Sequence, residues 1–126
     1  MARHIKSDNQ SVGKLGEDLA ATYLSRKGFR IIGRNFKARY GELDIIARDG
    51  ETLVFVEVKT RIGAEFGTPE EAVTPKKLRD IIRAAEYYVA THPLVPRSLR
   101  IDVVGIVLES TTHDIVSLVH TPNVTM

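Results

Sequence analysis

Three charged residues stand inside the apolar runs of two neighbouring segments of this chain. Asp44 lies in Leu43-Asp44-Ile45-Ile46, and Glu57 and Lys59 lie in Val54-Phe55-Val56-Glu57-Val58-Lys59. A lone buried carboxylate costs several kcal/mol or turns neutral through a shifted pKa. Such charges therefore need one another, a cation or water. Two carboxylates on one sheet face make a hard-oxygen site that suits Mg²⁺ or Mn²⁺, which bind through one or two carboxylates and keep several waters. The Val58 backbone carbonyl offers a further ligand. An ion held there polarises a phosphoryl oxygen and lowers the pKa of water. Lys59 is placed to orient that water or to stabilise charge in the transition state. No covalent nucleophile is evident: the chain has no Cys, and no serine sits in a recognisable elbow.

The elements that must position these groups are legible from pattern. The segments 40–47 and 53–60 are β-branched or aromatic rich, with a tight turn at Arg48-Asp49-Gly50-Glu51 between them, so they read as a hairpin. Alternation puts Glu57 and Lys59 on one face. It puts Asp44 with Glu42 and Ile46, opposite Leu43, Ile45 and Ala47. In an ordinary register Asp44 comes within several ångströms of Glu57, since neighbouring strands lie about 4.8 Å apart.

Upstream, Val12, Leu15, Leu19, Tyr23, Ala20 and Leu24 recur at helical spacing, which predicts a helix over 11–27, capped by Ser11 and stopped by Gly28. Its small residues, Gly13, Gly16, Ala20 and Ala21, would let it lie close on a sheet. Glu17 stands at the margin of the apolar stripe, able to point along the sheet surface. Residues 29–36 read as a first strand. Downstream, 61–75 is a long loop with a helical turn expected at Pro69–Val73, and loops of that length in a small domain are often functional. A second helix is expected over 75–91, started by Thr74 or Pro75 and carrying a basic stripe of Lys76, Arg79 and Arg83. Strands follow at 99–108 and 113–120. The predicted order is α-β-β-β-α-β-β, a mixed sheet flanked by helices. Residues 1–10 are read as a flexible N-terminus, 11–120 as a single domain, and 121–126 as a tail.

Composition narrows the partners. In 126 residues, 43% are hydrophobic and 27% charged, so the chain is folded and globular rather than disordered. The absence of Cys fits a reducing, cytoplasmic compartment. No segment reads as a secretory signal or a membrane span. Eighteen Lys and Arg against sixteen Asp and Glu leave a small positive excess, which permits nucleic-acid binding without demanding it.

With these residues in view, the chain resembles the PD-(D/E)XK, or restriction-endonuclease-like, nuclease superfamily, and more narrowly the bacterial family often called YraN. The matching segments are Gly16-Glu17-Asp18-Leu19-Ala20, Gly41-Glu42-Leu43-Asp44-Ile45-Ile46-Ala47, Val54-Phe55-Val56-Glu57-Val58-Lys59-Thr60-Arg61 and Phe66-Gly67-Thr68-Pro69-Glu70-Glu71-Ala72-Val73. Leu43 replaces the proline that gives the superfamily its name. The resemblance implies a restriction-endonuclease-like α/β fold and a metal-dependent endonuclease acting on DNA. It implies Asp44 and Glu57 as ligands of Mg²⁺ or Mn²⁺, Lys59 as the catalytic lysine and Glu17 as a helix glutamate, an arrangement similar to archaeal Holliday-junction resolvases. A chain this small has little surface for base readout, so branched or junction DNA is the expected substrate, cut by a homodimer with one site per protomer. The alternative is an inactive nucleic-acid-binding module that kept the fold.

Blander readings stand beside these. The three charges would also suit a structural ion pair, and Glu17 a solvent-facing helix position. The basic residues Arg26, Lys27, Arg30, Arg34, Lys37 and Arg39 are either a solvated surface or phosphate contacts. Arg39, Arg61, Lys76, Arg79 and Arg83 are the candidates for nucleic-acid binding. Phe66 reads as a core plug or a stacking group. His4, His92, His113 and His120 show no ligand spacing and read as surface or packing residues.

Overall fold

The computed structural model describes residues 8–63, 73–93 and 98–124. Helix α1 (Asp8–Arg26) is followed by strands β1 (Arg30–Ala38), β2 (Gly41–Asp49) and β3 (Thr52–Ile62), helix α2 (Pro75–Thr91), and strands β4 (Ser98–Leu108) and β5 (Ile115–Thr121). This is the expected order. The expected turn at Pro69–Val73 and Phe66 both lie outside the described residues, apart from Val73 itself, as does His4.

The five strands form one mixed sheet in the order β1-β2-β3-β4-β5. β1–β2, β2–β3 and β4–β5 are antiparallel, and β3–β4 is parallel with α2 in the crossover. Gly50, at φ 63°, supplies the left-handed first position that a two-residue hairpin loop between β2 and β3 favours.

The sheet is buried on both faces. Ala20 and Leu24 of α1 pack with Ile45, Ala47, Val54, Val56, Val104 and Ile106 on one side. Ile81, Ala84, Ala85 and Tyr88 of α2 pack with Leu43, Ile46, Leu53, Phe55 and Ile101 on the other. The near-continuous apolar runs of β3 and β4 are what a central, doubly covered strand requires.

The helix ends follow their local chemistry. Phe29 N–H donates to Leu24 O at 2.9 Å and Gly28 N–H to Ser25 O at 3.1 Å, while Gly28 sits at φ 103°. That is a Schellman stop, which a left-handed glycine makes cheap. Thr74 caps α2 by accepting from Lys77 N–H at 3.1 Å, with Pro75 in the first turn. The start of α1 differs from expectation: the helix begins at Asp8, three residues ahead of Ser11, so Ser11 is not its cap.

Two expectations about packing need correction. Gly16 is the close-contact glycine of α1, since a Cβ there would run into the Thr60 hydroxyl and lie 2.9 Å from Thr60 Cβ. Gly13 plays no such part, with nothing within 4 Å of its would-be Cβ. In β2 the period of two breaks at Asp44. Leu43 packs in the α2 cluster with Ile46, not in the α1 cluster with Ile45 and Ala47. The cause is local. The β2–β3 ladder ends at the Ile45–Val56 pair, and Val58 N–H donates instead to Asp44 Oδ2 at 2.8 Å.

Candidate active site

Asp44 of β2 and Glu57 and Lys59 of β3, just beyond the last β2–β3 pair, line one cavity of about 360 Å³ with Glu17 of α1. Val58, Thr60, Val12 and Gly13 complete its wall. The four residues picked out by the sequence as chemically able are thus brought together from three elements. Gly16 makes this possible on the helix side: its missing side chain lets α1 press on Thr60, which carries the adjacent Glu17 to the rim.

Glu57 is 4% exposed, and its Oε2 lies 3.6 Å from Lys77 Nζ of α2. Burial, then the charge of Glu57, pushes the Asp44 carboxyl up to about 8, against the pull of the Val58 N–H. Burial also raises Glu57; Lys77, a hydrogen bond with Asp44, and Lys59 offset this only in part. Two carboxyls this close and this dry do not both ionise unaided. Without a cation they keep a proton between them at neutral pH.

Glu17 is differently placed. Asn35 Nδ2 donates to its Oε1 at 2.9 Å, and Arg34 Nη2 stands 3.5 Å from that same oxygen. Arg34 also donates to Asp18 at 2.8 Å. That hydrogen bond chiefly holds the Asp18 carboxyl below its usual range, so Arg34 is tied into the α1–β1 contact. Lys59 makes no ion pair within 4 Å among the described residues, and its charge reaches Glu57 through space.

The donor set fits a hard divalent cation. Half-buried Asp44 and buried Glu57 offer carboxylate oxygens whose mutual repulsion an ion would relieve, and Mg²⁺ needs only one or two carboxylates from a protein. Among the described residues no group of three or more His, Asp or Glu is arranged to hold an ion.

The basic candidates scatter. Lys76 pairs with Asp80 at 3.0 Å on the outer face of α2, and Arg79 is exposed nearby. Arg61 is half-buried, and its Nε is buried without a hydrogen-bond partner among the described residues. Arg39 and Arg83 meet elsewhere, over the ring of Tyr40. The residue that sequence reasoning missed is Lys77. Its signal was present: Lys77 stands four residues before Ile81 and seven before Ala84, on the buried stripe of α2, where a cation needs a partner.

The model of the uncharacterised protein family UPF0102 matches residues 16–106. A UPF0102 protein of Geobacter sulfurreducens is 52% identical over 102 residues, covering 81% of this chain and 80% of that protein. One of Syntrophomonas wolfei is 48% identical over 101 residues, covering 80% and 88%. One of Chlorobium phaeobacteroides is 45% identical over 114 residues, covering 90% of each. These matches bear out the resemblance to the YraN-type family.

Proposed function

The chain belongs to the uncharacterised protein family UPF0102, and from that premise we propose that it is a divalent-cation-dependent endonuclease hydrolysing DNA phosphodiesters. The observation that carries the reading is the meeting of Glu17, Asp44, Glu57 and Lys59 around one cavity, with the two strand carboxyls pushed towards neutrality by burial and by each other. A protein gains no stability from such a pair, so its retention in apolar strands points to a ligand.

Asp44 and Glu57 would hold Mg²⁺ or Mn²⁺, and when bound such an ion supplies Lewis-acid charge to a phosphoryl oxygen. The chain's own groups do the rest. Glu17, fixed by Asn35 and Arg34, positions the attacking water. Lys59 places a positive charge beside the phosphate as water adds to phosphorus and one P–O ester bond breaks. Lys77 holds Glu57 in place from the α2 side. Arg61, Lys76, Arg79, Arg39 and Arg83 are the phosphate contacts of this reading, giving salt-dependent affinity. Branched or junction DNA is the substrate class, and a homodimer would bring one site to each of two strands.

The test is cleavage of linear, single-stranded, flapped and four-way-junction DNA with Mg²⁺ or Mn²⁺, by the natural chain and by Asp44→Asn and Lys59→Ala. The reading expects cutting of a branched substrate by the natural chain alone. Equal cutting by both variants would sink it. DNA binding indifferent to chelator and to Asp44→Asn, with no cutting, would mark an inactive binding module instead.

A further inference from the structure

Tyr40 and Tyr87 expose 55% and 52% of their surface, although rings of this size usually hide most of theirs. They line one cleft of about 480 Å³, together with Ala38, Arg39, Arg83 and Glu86. That volume lies within the range of small-ligand pockets. The guanidinium carbons of Arg39 and Arg83 stand 5.5 Å and 5.2 Å from the Tyr40 ring centre. Phe36 backs the Tyr87 ring at 6.1 Å, tilted by 34°. The cleft therefore offers aromatic faces, two cations and one carboxylate able to accept from an amino group.

We infer that this cleft is a stacking site for an unpaired nucleobase, with Tyr40 and Tyr87 as the platform and Arg39 and Arg83 on the flanking phosphates. Aromatic side chains beside a basic track are how proteins hold single strands without reading sequence. Glu86 adds an acceptor for the exocyclic amine of adenine, cytosine or guanine, which a lone phosphate lacks.

The location gives the site its use and rests on the nuclease reading. Six residues of α2 separate Arg83 from Lys77, the partner of Glu57, or about 9 Å of helix. Tyr40, in the turn before β2, stands four residues before Asp44, at most about 13 Å of chain. A stacked strand advances about 3.4 Å per nucleotide, so the cleft lies a few nucleotides from the carboxylate pair. An unpaired base within a few nucleotides of the cut phosphate is what a flap or single-stranded gap presents, and intact duplex does not.

The test is fluorescence anisotropy in EDTA at fixed low salt, with a labelled single strand and a matched strand of abasic sugar-phosphates. Natural protein is expected to bind the base-bearing strand at least about tenfold more tightly, the scale of one stacked base. Tyr40→Ala and Tyr87→Ala should bring that ratio close to one, and the Phe variants should restore it. Thermal melts check that each variant folds. No discrimination by the natural protein, or full discrimination by both Ala variants, overturns the site. EDTA suppresses hydrolysis, so a chain that never cuts DNA leaves this result intact. A chain that cuts branched DNA but fails here loses only the cleft.

Discussion

Asp44 and Glu57 were conspicuous as carboxylates inside apolar strands, and the structure turns that oddity into a raised, proton-sharing pair. Asp102 meets the same criterion, within Ile101-Asp102-Val103-Val104, but has the opposite fate. It is 0% exposed and accepts from Arg100 Nε at 3.0 Å and Asn123 N–H at 3.0 Å, with His120 Nε2 at 2.8 Å. Burial pushes its carboxyl up, and the bonds from His120, Arg100 and Asn123 outweigh that, holding it below the usual range. Its partners could not be read beforehand, because periodicity says nothing about a contact between β4 and the end of the chain. His120 is a packing residue, as expected, but one that also bridges Asp102 to the Tyr23 hydroxyl, 3.2 Å from its Nδ1. Since the folded Asp102 has the lower pKa, its contribution is present above about pH 4, the ordinary carboxylate range, and fades as pH falls below it. Asp102→Ala should cost about 3 kcal/mol at neutral pH, because it takes the acceptor away from the part-buried Arg100 guanidinium and the buried His120 ring. Asp102→Asn should flatten the loss of urea stability below about pH 4, and an unchanged acid limb would contradict this.

At the scale of elements, the hairpin, both helices and the order of elements along the chain were legible, because long apolar periods and turn glycines mark them plainly. The face of Asp44 was not, because strict alternation assumes an unbroken ladder. Here the Asp44 carboxylate itself accepts the Val58 N–H where the ladder ends. Glu17 shows how an element's approach makes a site. Gly16→Val would force α1 away from Thr60, and overpacking of this kind costs roughly 1–3 kcal/mol. The same variant should weaken Mn²⁺-dependent cleavage beyond its stability loss, since Glu17 moves with the helix; urea melts and single-turnover rates separate the two. Gly13→Ala, with nothing within 4 Å, should leave urea stability within about 0.5 kcal/mol or raise it, as helix propensity favours Ala.

For the molecule as a whole, two helices cover opposite sheet faces, and the carboxylate pair sits where β2 and β3 part, with α1 contributing Glu17 and α2 contributing Lys77. Among the described residues no helix is long and apolar enough to cross a membrane. With a formal charge of only +2, the proposed DNA binding would have to come from where the cations stand, not from their sum. Arg79→Gln should reduce the slope of log affinity against log salt by about one and weaken binding evenly across sequences, as loss of one phosphate contact does. An unchanged slope would remove Arg79 from the DNA path. The proposed cation site at Asp44 and Glu57 is open to one decisive measurement, calorimetric titration of Mn²⁺ into the chelator-treated protein. At neutral pH the pair predicts saturable binding accompanied by proton release to buffer, since the shared proton must leave, and loss of that binding in Asp44→Asn. No binding by the natural chain, or equal binding by the variant, would contradict it.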